Sequence, residues 1–174
     1  MATTVIPFRG EDAKQRLPEE LRAALADAML ADVVAAAEEV GDVILATEGG
    51  QGAAVVRALA DLPNRAVLVV NADLPAVTAR DLLALLGSIP PEGLAVAAAA
   101  DGTTNALGLA RPGLFQPRYG PGSAERFLEL APSRLVDIPN LSDDVDTFED
   151  LRRLEGRLGP KTAAVLEAGA AAAR

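Results

Sequence analysis

Short runs of aliphatic and β-branched residues alternate with longer stretches of helical periodicity, the pattern of an α/β domain built on a mostly parallel sheet. Thr3 to Phe8 reads as the opening strand. Leu21, Leu25, Met29, Val33 and Ala37 then recur every fourth residue, which predicts a helix with one face on the sheet; Pro18, Glu19 and Glu20 suit its start. Asp42 to Ala46 reads as a second strand and Ala66 to Val70 as a third. The continuous run Val67-Leu68-Val69-Val70 fits a central strand covered on both faces. One helix is expected from the glycine-rich turn at Gly49 to about Leu62, and another after Thr78, which has capping-box spacing with Asp81. Leu94 to Ala99 and Ala106 to Ala110 predict strands flanking the turn Asp101-Gly102-Thr103-Thr104. A helix follows from Ser123 to about Ala131, and Leu135 to Ile138 reads as a last strand. Thr147 and Asp150 form a second capping box ahead of a helix to Leu158, and Gly159-Pro160 divides it from a terminal helix.

A length of 174 residues, half of them apolar, suits one domain spanning residues 1–174, with 159–174 as its C-terminal helix. Cysteine, histidine and tryptophan are absent, which excludes disulfides, thiol or imidazole catalysis and zinc sites of the usual ligand types. Chemistry must therefore rest on carboxylates, hydroxyls, backbone amides and cations. The net charge of −9 opposes binding to nucleic acid or to an anionic membrane, while small anions remain accessible through local cations. No stretch has the length and hydrophobicity of a membrane span or the look of a leader, so the expected location is the cytoplasm.

Ligands of doubly wound sheets bind beyond the carboxyl ends of the strands, and four clusters fall there. Arg9, Lys14 and Arg16 gather after the opening strand, either as a solvated basic loop or as a clamp on a triphosphate. Gly49-Gly50-Gln51-Gly52 stands at a strand-to-helix junction whose bare amides suit an anion or a base edge, or simply a tight turn; it lacks the Gly-Lys-Ser/Thr of a Walker A loop. Asp73, in the sharp turn before Leu74-Pro75, is either a turn former or a magnesium ligand. Asp144 and Asp146 lie on one side of an extended segment, where repulsion favours recruiting a cation. Asp143 or Asp146 is alternatively a helix-capping acid.

In this order the motifs resemble the 2-phospholactate or phosphoenolpyruvate guanylyltransferases, the CofC-like family of coenzyme F-420 biosynthesis. The resemblance rests on Ile6-Pro7-Phe8-Arg9, Ala13-Lys14-Gln15-Arg16-Leu17, Asn71-Ala72-Asp73-Leu74-Pro75 and Gly102-Thr103-Thr104-Asn105-Ala106-Leu107. Tyr119-Gly120-Pro121-Gly122-Ser123 and Asp144-Val145-Asp146-Thr147 complete it, and the whole runs from Thr3 to about Leu158. It implies a GT-A-like nucleotidyltransferase fold, a three-layer sandwich. It also implies magnesium held by Asp73, Asp144 and Asp146, and an acceptor phosphate and carboxylate cradled by Thr104, Gly120 and Ser123. Arg9, Lys14 and the glycine turn Gly49 to Gly52 would face GTP, with Lys14, Arg16 and Asp73 serving catalysis. The chain departs from the family where Ala46 and Gly49 are nearly adjacent, since relatives carry an extra helix and strand there. Arg9 and Gln15 stand where relatives commonly have lysine and a hydroxyl residue.

The implied reaction joins GTP to a small phosphorylated carboxylic acid with loss of pyrophosphate, and needs no nucleophilic side chain. Its rivals are a nucleotidyltransferase of the same fold acting on 3-phosphoglycerate, a sugar phosphate or a molybdopterin, and a non-catalytic nucleotide-binding domain. The apolar terminal helix offers a surface for a homodimer.

Overall fold

Val67 and Val69 face one way from the third strand and Leu68 and Val70 the other, and all four are buried. Such a strand needs an apolar layer on each side, and the chain provides both. The computed structural model describes residues 2–8 and 16–172. Its strands are β1 (Ala2–Pro7), β2 (Gly41–Ala46), β3 (Val67–Val70), β4 (Leu94–Ala98), β5 (Thr104–Leu109) and β6 (Ser133–Val136). Its α-helices are α1 (Glu19–Glu38), α2 (Gln51–Leu59), α3 (Ala79–Gly87), α4 (Ser123–Leu128), α5 (Pro139–Ser142), α6 (Phe148–Leu154) and α7 (Pro160–Ala172).

The six strands form one sheet in the order β2-β1-β3-β5-β4-β6. Every pairing is parallel except those of β5, which runs against both β3 and β4. Leu68 and Val70 pack with Val33 and Ala36 of α1 and with Leu82 and Leu85 of α3. Val67 and Val69 pack with Val55 and Leu59 of α2 and with Phe127 of α4. Each fully buried Leu, Val or Phe in these layers contributes roughly 1.5–3 kcal/mol. The expected elements are therefore present as a mixed α/β, three-layer sandwich, with most boundaries shifted by a few residues. Two points differ. The reversed direction of β5 was not stated, although a turn as short as Asp101-Gly102-Thr103-Thr104 joins neighbouring strands only as an antiparallel pair. The short helix α5 was also not anticipated.

Leu25, Met29, Val33 and Ala37 of α1 are buried as their spacing requires. So is Asp32, an acid at 5% relative exposure between them. Its carboxylate accepts from Lys161 N (3.0 Å), Thr162 N (2.9 Å) and Thr162 Oγ1 (2.7 Å), and so caps the N-terminus of α7 from a distant helix. Gly159 is required beside it, since a Cβ there would lie 2.3 Å from Asp32 Cγ. The Gly159 N–H in turn donates to the carbonyl of Pro75 at 2.6 Å. The substitution Asp32→Ala removes the cap and leaves α7 amides without their acceptor. It is expected to lower unfolding free energy by about 2–4 kcal/mol in urea titration; a change under about 0.5 kcal/mol would show that α7 is held without it.

Candidate active site

The parallel strands all end at one margin of the sheet, with Pro7, Ala46, Val70, Ala98 and Val136 as their last residues. Because β5 runs the other way, it begins at that same margin and delivers Thr104 and Asn105 there. The cleft beyond the strand ends is thus built from outgoing loops and from the start of one incoming strand.

Asp73 follows β3 by three residues, while Asp144 and Asp146 stand in the extended segment between α5 and α6. One carboxylate oxygen from each of the three lies within 4.8 Å of the others. Two backbone features hold them there. Val145, between the two acids, is fully buried among Leu25, Met29, Leu151 and Leu154, which turns its neighbours outward. Its N–H donates to the Asp73 carbonyl at 3.0 Å, pinning one loop to the other. Asp144 also accepts from Asn105 Nδ2 at 3.2 Å. Burial pushes the Asp144 carboxyl above its ordinary value of 3.8; the charge of Asp73 adds to this, the Asn105 hydrogen bond opposes it, and Asp146 adds a smaller push. Asp143 belongs elsewhere, in ion pairs with Arg153 (2.9 Å) and Arg157 (2.7 Å). Neither Asp143 nor Asp146 caps α6: Thr147 does so, in the capping box with Asp150.

On the other side of β3, the turn after β2 takes four residues to reach α2. Gly49 has φ +79°, which a side chain would strain, and Gly50 is the N-cap. Gln51 opens α2 and donates from Nε2 to Asn71 Oδ1 at 2.9 Å. Gly52 lies so close to Pro117 that a Cβ would stand 2.6 Å from it, so the glycine turn touches the loop before α4. That loop has positive φ at Gly120 (110°) and Gly122 (68°). Arg126 clamps it by donating to the carbonyls of Arg118 (2.9 Å), Tyr119 (3.4 Å) and Pro121 (2.6 Å). Phe115, Tyr119 and Phe127 pack as three rings beneath it, with centroids 5.4–6.0 Å apart. Thr104 and Ser123, both buried, share a hydroxyl–hydroxyl bond of 2.9 Å.

The structure thus gathers Asp73 with Asp144 and Asp146, Thr104 with Ser123 beside the Gly120 loop, and the glycine turn against both loops. Arg16 stands exposed in the turn before α1. Arg9 and Lys14 lie outside the described residues. Asn71, Asn105 and Arg126 were not singled out as site residues, yet each fixes a residue or loop that was. Asn105, 3% exposed within a strand of alanine, leucine and glycine, is a polar residue at a core position, and that mismatch is the signal that marks it.

Comparison with known proteins bears directly on this arrangement. A family model described as guanylyl transferase CofC like matches residues 41–155. A phosphoenolpyruvate guanylyltransferase of Sphaerobacter thermophilus is 38% identical over 96 residues, covering 52% of this chain and 46% of that protein. The chain thus spans about half the length of that relative. The phosphoenolpyruvate guanylyltransferase of Thermomonospora curvata is 34% identical over 188 positions, covering 88% of this chain and 82% of that protein. Since 88% of 174 residues is about 153, about 35 aligned positions of the relative face no residue here, in line with a shortened chain. Among solved structures, a Desulfovibrio desulfuricans protein provisionally assigned as a nucleotide-diphospho-sugar transferase superimposes with TM-score 0.71 at 17% identity, over 98% of this chain and 96% of its own. A Mycobacterium tuberculosis protein crystallised with manganese superimposes with TM-score 0.54 at 22% identity, over 88% and 97%. These two share the fold. With the family model matching well over half of its residues, the chain belongs to the CofC-like guanylyl transferase family.

Proposed function

We propose that the chain is a guanylyltransferase that condenses GTP with a small phosphorylated carboxylic acid, phosphoenolpyruvate or 2-phospho-L-lactate, for coenzyme F-420 biosynthesis in the cytoplasm. The observation that carries this reading is the convergence of Asp73, Asp144 and Asp146 beside the Thr104–Ser123 pair, in a member of this family. The relatives' names favour phosphoenolpyruvate. Among the described residues no helix is long and apolar enough to cross a membrane.

The donor set fits a hard divalent cation, magnesium in this proposal, because three carboxylates on two loops offer oxygen ligands at one point, and burial together with the Asp73 charge raises the Asp144 carboxyl there. When bound, such an ion neutralises the phosphates being joined. In the reaction, a phosphate oxygen of the acceptor forms a bond to the α-phosphorus of GTP. The bond from that phosphorus to the β-phosphate oxygen breaks, and pyrophosphate leaves. Lys14, Arg9 and Arg16 are assigned to the triphosphate and Gly49 to Gly52 to the nucleotide. Thr104 and Ser123 would exchange their mutual bond for bonds to the acceptor, with Gly120 completing the cradle.

Incubation with GTP, MgCl2 and phosphoenolpyruvate or 2-phospho-L-lactate is expected to release pyrophosphate and give a product of the summed mass less pyrophosphate; release with 3-phosphoglycerate alone would favour that rival acceptor, and binding of GTP without release from any acceptor would reject the reading. Asp73→Asn is expected to lower turnover by at least about 100-fold with an unchanged circular dichroism spectrum. Near-normal release from that variant would remove Asp73 from the mechanism.

The charge at Asp144 gives a pH-dependent expectation. A raised carboxyl value means that the folded state holds the proton more tightly than the unfolded one, so metal-free stability falls as pH rises from the unfolded value of 3.8 through the folded one, and stays lowered above it. Asp144→Asn should therefore raise the Tm of the EDTA-treated protein at pH 7 and not at pH 3. The same substitution should abolish the increase in Tm that MgCl2 or MnCl2 gives the native sequence. A metal-induced increase that survives it would place the ion elsewhere.

A further inference from the structure

The amide side chain of Asn71 has its orientation set by the backbone. Asn71 Nδ2 donates to the Thr104 carbonyl at 3.1 Å, and a carbonyl oxygen can only accept. The other end of the amide, Oδ1, is therefore an acceptor, and the group that meets it at 2.9 Å, Gln51 Nε2, must donate. That fixes the Gln51 amide in turn, so its Oε1 is the end left over. Among the described residues no donor meets this oxygen, and it is not enclosed. Gln51 is half-buried at the first position of α2, between Gly50 and Gly52, which leave the backbone bare on either side.

A carbonyl oxygen held in this way selects for an N–H partner. Guanine offers two adjacent donors on its pairing edge, N1–H and the N2 amino group, whereas adenine turns a lone pair outward at N1. Placed opposite N1, an acceptor gives guanine a hydrogen bond and leaves adenine, whose donor is the N6 amino group one position away, with two desolvated lone pairs opposed. We propose that Asn71 is a positioning residue for base selection: it relays the polarity of the Thr104 carbonyl to Gln51, which presents Oε1 to the donor edge of guanine. The inference rests on the nucleotide reading of the glycine turn above and adds to it the atom that reads the base and the residue that orients that atom.

The test is equilibrium binding of GTP and of ATP, each with MgCl2, by calorimetry, which needs no turnover. The native protein is expected to bind GTP more tightly than ATP. Gln51→Leu and Asn71→Leu are each expected to cut that ratio by about tenfold. The double variant should lose no more than either single one, because Asn71 acts through Gln51. A merely structural role for Asn71 would weaken both nucleotides alike and leave the ratio unchanged. An unchanged ratio in Gln51→Leu, additive losses in the double variant, or no preference in the native protein would each overturn the proposal. Gln51 lies at a half-exposed helix start, so its variant decides the matter even if Asn71→Leu does not fold. Loss of the ratio as expected, with no pyrophosphate released from any acceptor, would reject the catalytic reading and leave this one standing.

Discussion

Three carboxylates held within 4.8 Å of one another repel, and no local sequence preference would assemble them. The fold does so through Val145. Its side chain is enclosed by α1 and α6, and its N–H is committed to the Asp73 carbonyl. The apolar contacts that bury Val145 thus offset the repulsion on either side of it. The cluster is an anionic point in an acidic protein, and the cation proposed for it would supply the charge that joining two phosphates also requires.

A second constraint comes from the direction of β5. In a wholly parallel sheet only strand ends and the loops after them reach the cleft. An antiparallel strand inserted between β3 and β4 brings its first residues there instead. Thr104 and Asn105 are adjacent, so their side chains leave the strand on opposite sides: one meets Ser123 of α4 and the other meets Asp144. One strand start therefore serves both halves of the site. The same strand anchors Asn71 through the Thr104 carbonyl.

The elements were legible because their signals are local. Periodicity every fourth residue in α1, the continuous apolar run of β3 and the Thr78 and Thr147 capping boxes each depend on residues within one turn or one strand of each other. The candidate acids were legible as well, because strand ends and turn residues can be located in a sequence. What escaped was whatever depends on partners far away in the chain. Asp32 was not singled out, although an acid flanked by the buried Met29, Val33 and Ala36 is a mismatch that marks it. Asp143 was set apart from Asp144 and Asp146 as a capping acid, but its actual partners, Arg153 and Arg157, lie ten and fourteen residues on and left no local sign. Asn71 and Gln51 are 20 residues apart and have no pattern in common; only the packing of α2 across β1 and β2, with β3 next in the sheet, joins them.

The bonds from Asp32 to Thr162 join residues 130 apart in sequence, and Pro75 receives its hydrogen bond from Gly159 in the same late segment. Contacts of such separation close large loops and are slow to form. During synthesis the sheet can assemble before α7 has left the ribosome, but the turn that holds Asp73 gains its rear support only afterwards. The turn that carries Asp73 thus has an early tie, from Val145, and a late one, from Gly159, and a nascent chain stalled before residue 159 would hold that turn by the first alone.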